Sequence, residues 1–168
     1  MIKFLDLKAI NAQYQDETNQ AIFEVLESGW YIKGKAVQSF ETNFAQFCGV
    51  PHCVGVANGL DALILIFRGF IIQGKLKEGE EVIVPANTYI ASILALTENN
   101  LKPVLVEPNE ITYNLSINAV EQNLTSKTKA VLGVHLYGQL AEDMSHFCCD
   151  NNLLLIEDAA QAHGAENK

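Results

Sequence analysis

An alternation that begins near Cys53 constrains the fold more than any other feature of the chain. Short apolar, β-branched runs at residues 54–57, 81–85, 103–107, 130–137 and 153–157 are separated by stretches with helical spacing at 60–70, 90–98, 117–124 and 142–150. The runs are almost continuously apolar instead of alternating with polar residues, so each strand needs cover on both faces, and the intervening helices can supply it. This is the pattern of repeated βαβ units, and it predicts an α/β fold with a mostly parallel sheet flanked by helices. At 168 residues, 49% of them hydrophobic, the chain has enough apolar material for a core. Ahead of this region, Tyr14, Thr18, Ala21, Ile22 and Val25 fall at helical spacing and stop at Gly29. Val37, Phe40, Phe44 and Phe47 repeat the pattern before Gly49, which makes two amphipathic helices. The expected organisation is an N-terminal helical segment over 1–50 and an α/β region over 51–168.

A net charge of −9 without any Lys/Arg cluster argues against nucleic acid or an anionic membrane as partner, since both call for a basic surface. The opening Met1-Ile-Lys-Phe-Leu-Asp is too polar for a signal peptide and no later run reaches membrane-span length, so a cytoplasmic protein is expected. Cys48, Cys53, Cys148 and Cys149 lack paired CxxC spacing and read as reduced, structural thiols. His163 beside Gly164 has no second histidine at ligand spacing, so no metal site is expected.

In an open parallel sheet, ligands sit beyond the carboxyl ends of the strands, and three segments would deliver groups to that rim. Asn58-Gly-Leu60 joins a strand to a helix. There Gly59 can take a positive φ and the helix dipole favours an anion, although a glycine turn at such a junction is also ordinary α/β architecture. Asp61 falls where a capping acid belongs. Tyr89 follows Asn87-Thr88 just past a strand, either packed or free to stack on a ring. Asp158 closes the apolar run Leu153-Leu-Leu-Ile, where an acid needs a partner; a protonated ring nitrogen or the N-terminus of a following helix would serve. One helical turn would set Gln161 beside the same ligand. His135 reads as a satisfied buried histidine before a catalytic base. Trp30-Tyr31 after Ser28-Gly29 could be a hydrophobic staple or the wall of a substrate pocket.

Five segments in register give the chain a family resemblance: Gly29 to Gly34 with Phe40-Glu41, then Asn58-Gly-Leu-Asp-Ala-Leu63, Pro85-Ala-Asn-Thr-Tyr-Ile-Ala91, Val134-His-Leu-Tyr-Gly138 and Glu157-Asp-Ala-Ala-Gln-Ala-His-Gly-Ala165. Over residues 4–165 it resembles the DegT/DnrJ/EryC1/StrS sugar aminotransferases, pyridoxal 5'-phosphate (PLP) enzymes of fold type I. The resemblance implies that the Gly59 and Leu60 amides hold the cofactor phosphate and that Tyr89 stacks on the pyridine face. It also implies that Asp158 pairs with the ring nitrogen and Gln161 reaches the ring hydroxyl. Trp30 and Tyr31, read from their place alone, are candidates toward the substrate. Asn58-Gly-Leu-Asp and Ile93-Leu-Ala-Leu-Thr-Glu-Asn-Asn are most similar to transaminases that make dTDP-3-amino-3,6-dideoxyhexoses from nucleotide-linked 3-keto sugars, with glutamate as donor. A homodimer is implied as well.

The family's internal Schiff base is made by a lysine in a Ser-Phe…Lys segment downstream of Asp-Ala-Ala-Gln, followed by a smaller C-terminal domain. Lys168 stands too close to Asp158 for that role, so the chain is expected to be the N-terminal part of such an enzyme, without turnover of its own. The strand at 54–57 would pair with a late antiparallel strand; lacking it, an apolar edge would favour association. The same scaffold with histidine in place of the lysine serves pyridoxamine-phosphate (PMP)-dependent sugar dehydratases. A non-catalytic remnant binding cofactor or a full-length partner is a further reading. Val54-Gly-Val-Ala-Asn-Gly lacks the G-x-G-x-x-G spacing of a dinucleotide site.

Overall fold

The computed structural model describes residues 4–166, and the chain divides between Gly55 and Val56 into two compact units. Lys168, excluded above as the Schiff-base lysine, lies outside the described residues. The first unit is helical: α1 (Leu7–Ala12), α2 (Gln15–Ser28) and α3 (Lys35–Phe47). Asp6 caps α1 by accepting the Ala9 N–H, and α2 ends on Gly29 at φ 63°, a left-handed C-cap that glycine adopts without a Cβ penalty. The short α1 was not legible in the periodicity of the sequence.

The second unit contains α4 (Gly59–Ile72), β1 (Glu81–Pro85), α5 (Ile90–Thr97), β2 (Lys102–Val106), α6 (Ile117–Gln122), β3 (Thr128–Val134), α7 (Ser145–Asp150) and β4 (Leu154–Asp158). The four strands form one all-parallel sheet in the order β2-β1-β3-β4. Because side chains alternate along a strand, the apolar runs divide between two layers. Val82, Val84, Leu132 and Ile156 pack with Leu63 and Phe67 of α4 and Leu96 of α5. Ile83 and Val131 face the other way, against Val120 of α6 and Cys148 of α7. Burial pushes the Cys148 thiol pKa up, which keeps it protonated and unreactive.

Two sequence expectations are corrected here. Residues 54–57 form no strand: ladder bonds need a partner, none is present among the described residues, and the Gly55 N–H is taken instead by the Glu41 carboxylate at 2.7 Å. The apolar run 130–137 leaves the sheet after Val134, because Tyr137 and Gly138 turn the backbone through φ 58° and 79°.

This topology creates a crevice. The chain leaves β1 through α5 on one face toward β2 and returns through α6 on the other face to β3, so β1 and β3 flank a switch point at their carboxyl ends. At the opposite end, Glu81 is buried; it accepts the Thr125 hydroxyl at 2.6 Å and pairs with Lys102 at 2.9 Å. The Thr125 hydrogen bond, followed by that of Lys102, lowers its pKa. A carboxylate whose pKa is lower in the folded than in the unfolded chain stabilises fully above the ordinary carboxylate range, and that contribution fades as pH falls through the folded value. In urea unfolding followed across pH 7 to 3, Glu81→Gln is expected to flatten the acid limb of the stability profile.

Candidate functional site

The entry to α4 is built by Asn58, whose extended backbone (φ −164°, ψ 174°) turns the chain and whose Oδ1 accepts the Asp61 N–H at 2.9 Å. Its Nδ2 donates to Asp61 Oδ2 at 3.1 Å, a reciprocal cap. Gly59 is therefore the first residue of the helix and needs no positive φ, a correction to the sequence reading: the extended Asn58 makes the turn by itself. A Cβ placed on Gly59 would meet nothing within 4 Å, so the space over the helix end is open. With the Asp61 and Ala62 N–H groups engaged by Asn58, those of Gly59 and Leu60 are the first-turn donors left to face a ligand at the positive end of a 14-residue helix.

Beyond β1, Tyr89 starts α5 with its ring 75% exposed, which rules out the packing role and leaves the ring available. Three residues on, Ser92 is buried, shares a 2.9 Å hydrogen bond with Thr88 and donates to Asp158 Oδ2 at 3.4 Å. The other oxygen, Oδ1, accepts the Ala160 N–H at 3.1 Å. Asp158 thus closes a turn and does not cap a helix; residues 159–162 form turns. Among the described residues no cationic side chain pairs with it. Gln161 reaches the same rim through this turn instead of a helical one, and its Oε1 accepts the Tyr137 N–H at 3.1 Å.

These groups share one cavity of about 520 Å³, lined by Asn58, Gly59, Leu60, Thr88, Tyr89, Ser92, Asp158 and Gln161 over an apolar floor that includes Leu63, Val134 and Leu136. The five residues singled out toward a cofactor are all in it. Ser92 and Thr88 were not singled out, although a serine inside the otherwise apolar Ile90-Ala-Ser-Ile-Leu-Ala-Leu96 was a readable signal.

His135 is buried as expected and does not line the cavity. Its Nδ1 accepts the Ala141 N–H at 3.0 Å, so Nε2 carries the proton and donates to Glu157 at 3.2 Å. In the N-terminal unit, Trp30 lines a separate cavity of about 600 Å³ with its Nε1–H on the Ile32 carbonyl, and the Tyr31 hydroxyl donates to the Leu26 carbonyl. Both donors are engaged, so Trp30 offers a ligand only its ring faces, while Tyr31 keeps its ring faces and the acceptor capacity of its hydroxyl. Among the described residues no group of three or more His, Cys, Asp or Glu is placed to hold a metal, and no helix is long and apolar enough to cross a membrane.

The DegT/DnrJ/EryC1/StrS aminotransferase family matches residues 12–168. The chain belongs to this family. Among family relatives, the dTDP-3-amino-3,6-dideoxy-alpha-D-galactopyranose transaminase of Aneurinibacillus thermoaerophilus is 55% identical over 98% of this chain and 45% of its own length. The dTDP-3-amino-3,4,6-trideoxy-alpha-D-glucose transaminase of Streptomyces venezuelae is 46% identical over 98% of this chain and 43% of its own length. The chain therefore spans less than half the length of these relatives. Of solved structures, S. venezuelae DesV in complex with a ketimine intermediate superposes with a TM-score of 0.91 at 44% identity, over 97% of this chain and 43% of DesV. NtdA of Bacillus subtilis with bound PMP gives 0.84 at 30% identity, over 97% and 37%. These likenesses identify the α/β unit as PLP fold type I architecture.

The Asn58 cap closes the first turn of α4 and leaves the Gly59 and Leu60 amides open, so its removal should be felt locally. Asn58→Ala is expected to cost about 1 kcal/mol of stability, read as a shift of the urea unfolding midpoint.

Proposed function

We propose that this chain forms the cofactor-cradling part of a PLP-dependent sugar-nucleotide aminotransferase, which moves an amino group from glutamate to a dTDP-3-keto-6-deoxyhexose. The observation that carries this reading is Asp158: a carboxylate at the end of a parallel strand, oriented by Ser92 and the Ala160 N–H, with no basic side chain to neutralise it among the described residues. A protonated pyridine nitrogen answers that charge. The remaining donors fit the same molecule: the Gly59 and Leu60 amides suit a phosphate, the exposed Tyr89 ring suits a pyridine face, and the Gln161 amide suits a ring hydroxyl. PLP, when bound, supplies an electron sink for the carbanion of amino transfer. Asp158 sustains the charge that makes the sink effective, while the α4 amides fix the phosphate and Tyr89 shields one ring face. Trp30 and Tyr31 are assigned toward the sugar.

The relatives support the substrate class, since those at 55% and 46% identity carry names of dTDP-amino-sugar transaminases. A second reading, a PMP-dependent sugar dehydratase, draws on the E. coli GDP-4-keto-6-deoxy-D-mannose-3-dehydratase with bound hydrated PLP, at a TM-score of 0.78 and 29% identity. Its lower identity ranks it second. A non-catalytic remnant that binds the cofactor or a full-length partner ranks third. A cytoplasmic homodimer acting in deoxyamino-sugar supply for lipopolysaccharide or an S-layer glycan completes the proposal. The dimer is supported by α4, a largely apolar helix that leaves Leu65 and Ile72 57% and 78% exposed alongside the exposed Arg68.

PMP tests the cradle without needing a lysine, because it carries an amine in place of the aldehyde. Saturable PMP binding, followed by its fluorescence, is expected, and Asp158→Asn should weaken it at least about tenfold, the worth of one charge-assisted hydrogen bond. Equal affinity for the two proteins would sink the assignment of Asp158 to the ring nitrogen.

A further inference from the structure

Three buried or strained features near the cavity are left unused by the proposed chemistry: Asn114, the left-handed Tyr137, and the 109–114 loop. Asn114 is 1% exposed. Its Oδ1 accepts the Leu136 N–H at 3.0 Å and its Nδ2 donates to the Gln139 carbonyl at 3.0 Å. Leu136 and Gln139 are the first and last residues of a β-turn closed by the Gln139 N–H on the Leu136 carbonyl at 3.1 Å. Both central residues have positive φ, Tyr137 at 58° and Gly138 at 79°. Glycine takes this conformation freely, but for a tyrosine it is strained, so the surroundings must impose it.

The imposing group is the Asn114 carboxamide. It stands where a neighbouring strand's peptide group would stand, one end on the outer N–H and the other on the outer carbonyl, so the turn can neither open nor rotate without breaking a buried hydrogen bond. His135 fastens the following residues through the Ala141 N–H.

The turn acts on the cavity through one atom. The Tyr137 N–H donates to Gln161 Oε1, and because a donor can only face an acceptor, this bond decides which end of the Gln161 amide is engaged. The NH2 end is then the one free for a ligand, and it selects for an acceptor oxygen. The same loop also braces the opposite wall: Asn87 Nδ2, two residues before Tyr89, donates to the Tyr113 carbonyl at 3.0 Å.

We propose that Asn114 is a positioning residue for the cofactor site, setting the 136–139 turn so that the Tyr137 N–H holds Gln161 with its NH2 toward the ligand. The inference rests on the cofactor reading above for the identity of that ligand, but not for the mechanical link from Asn114 to Gln161.

Both are separated by one experiment on the whole chain, with PMP as probe. Asn114→Ala, Gln161→Ala and the double variant are titrated by PMP fluorescence. Asn114→Ala is expected to weaken binding about fivefold, the worth of one neutral hydrogen bond, and to add nothing in the Gln161→Ala background. Additive losses, or an unchanged affinity in Asn114→Ala, would overturn the proposal. The Gln161 side-chain amide signals and the exchange rate of the Tyr137 N–H, both read by NMR without PMP, supply a second arm. They should shift and accelerate in Asn114→Ala, and unchanged values also refute the link. If the parent chain binds no PMP, the cofactor reading fails while this second arm still decides the role of Asn114. Should Asn114→Ala not fold, Asn114→Asp keeps the Leu136 acceptor and turns an oxygen against the Gln139 carbonyl, which loosens that end of the turn, and it is expected to give the same shifts.

Discussion

The two-sided burial of the central strands governs what the α/β unit can present to a ligand. Val82, Ile83, Val84, Val131 and Leu132 are fully buried, so neither sheet face has room for a polar side chain without a partner. Polar chemistry is thereby confined to strand ends. The reversal of winding between α5 and α6 then leaves one end open between β1 and β3. Asp158 is polar at the point where β4 emerges from cover, and its neighbours in the cavity come from the segments after β1, β3 and β4, joined by the start of α4.

Within that rim, side chains are aimed largely by backbone amides. Asn58 selects which first-turn N–H groups stay open, the Ala160 N–H and Ser92 orient the Asp158 carboxylate, and the Tyr137 N–H orients Gln161. Backbone donors suit this task because the fold holds them in place, with little side-chain entropy lost on binding. The polar side chains behind them, Ser92 and Asn114, are each about 1% exposed and fully partnered, which is the condition under which buried polar groups specify geometry instead of destabilising it.

Much of this was legible before any coordinates. The strands at 81–85, 103–107 and 153–157 lie within one residue of those observed, because unbroken apolar runs between glycine- and asparagine-rich turns leave few alternatives. Tyr89 and Asp158 could be singled out from their places after strands, Gln161 from its distance to Asp158, and Gly59 and Leu60 from a helix start, although the strand expected before them does not form. The misses share a cause. Residues 54–57 read as a strand because β-branched composition reports only suitability for a sheet, while a ladder also needs a partner. Leu136 and Tyr137 read as strand because nothing local forecasts a left-handed tyrosine. Asn114 looked like an ordinary loop residue in Thr112-Tyr-Asn-Leu-Ser116.

The sequence by itself determined the α/β class and the parallel sense of the sheet, since these follow from apolar periodicity, and it named most of the polar residues that gather at the rim. Tertiary structure alone decided which side chains meet: that Ser92 reaches Asp158 across 66 positions, that Asn114 closes a turn 22 residues away, and that Gln161 takes the Tyr137 N–H on its Oε1. Periodicity is a local property that survives in one dimension. A hydrogen bond between distant loops depends on sheet order and on the exit direction of each strand, and neither exists until the sheet has formed.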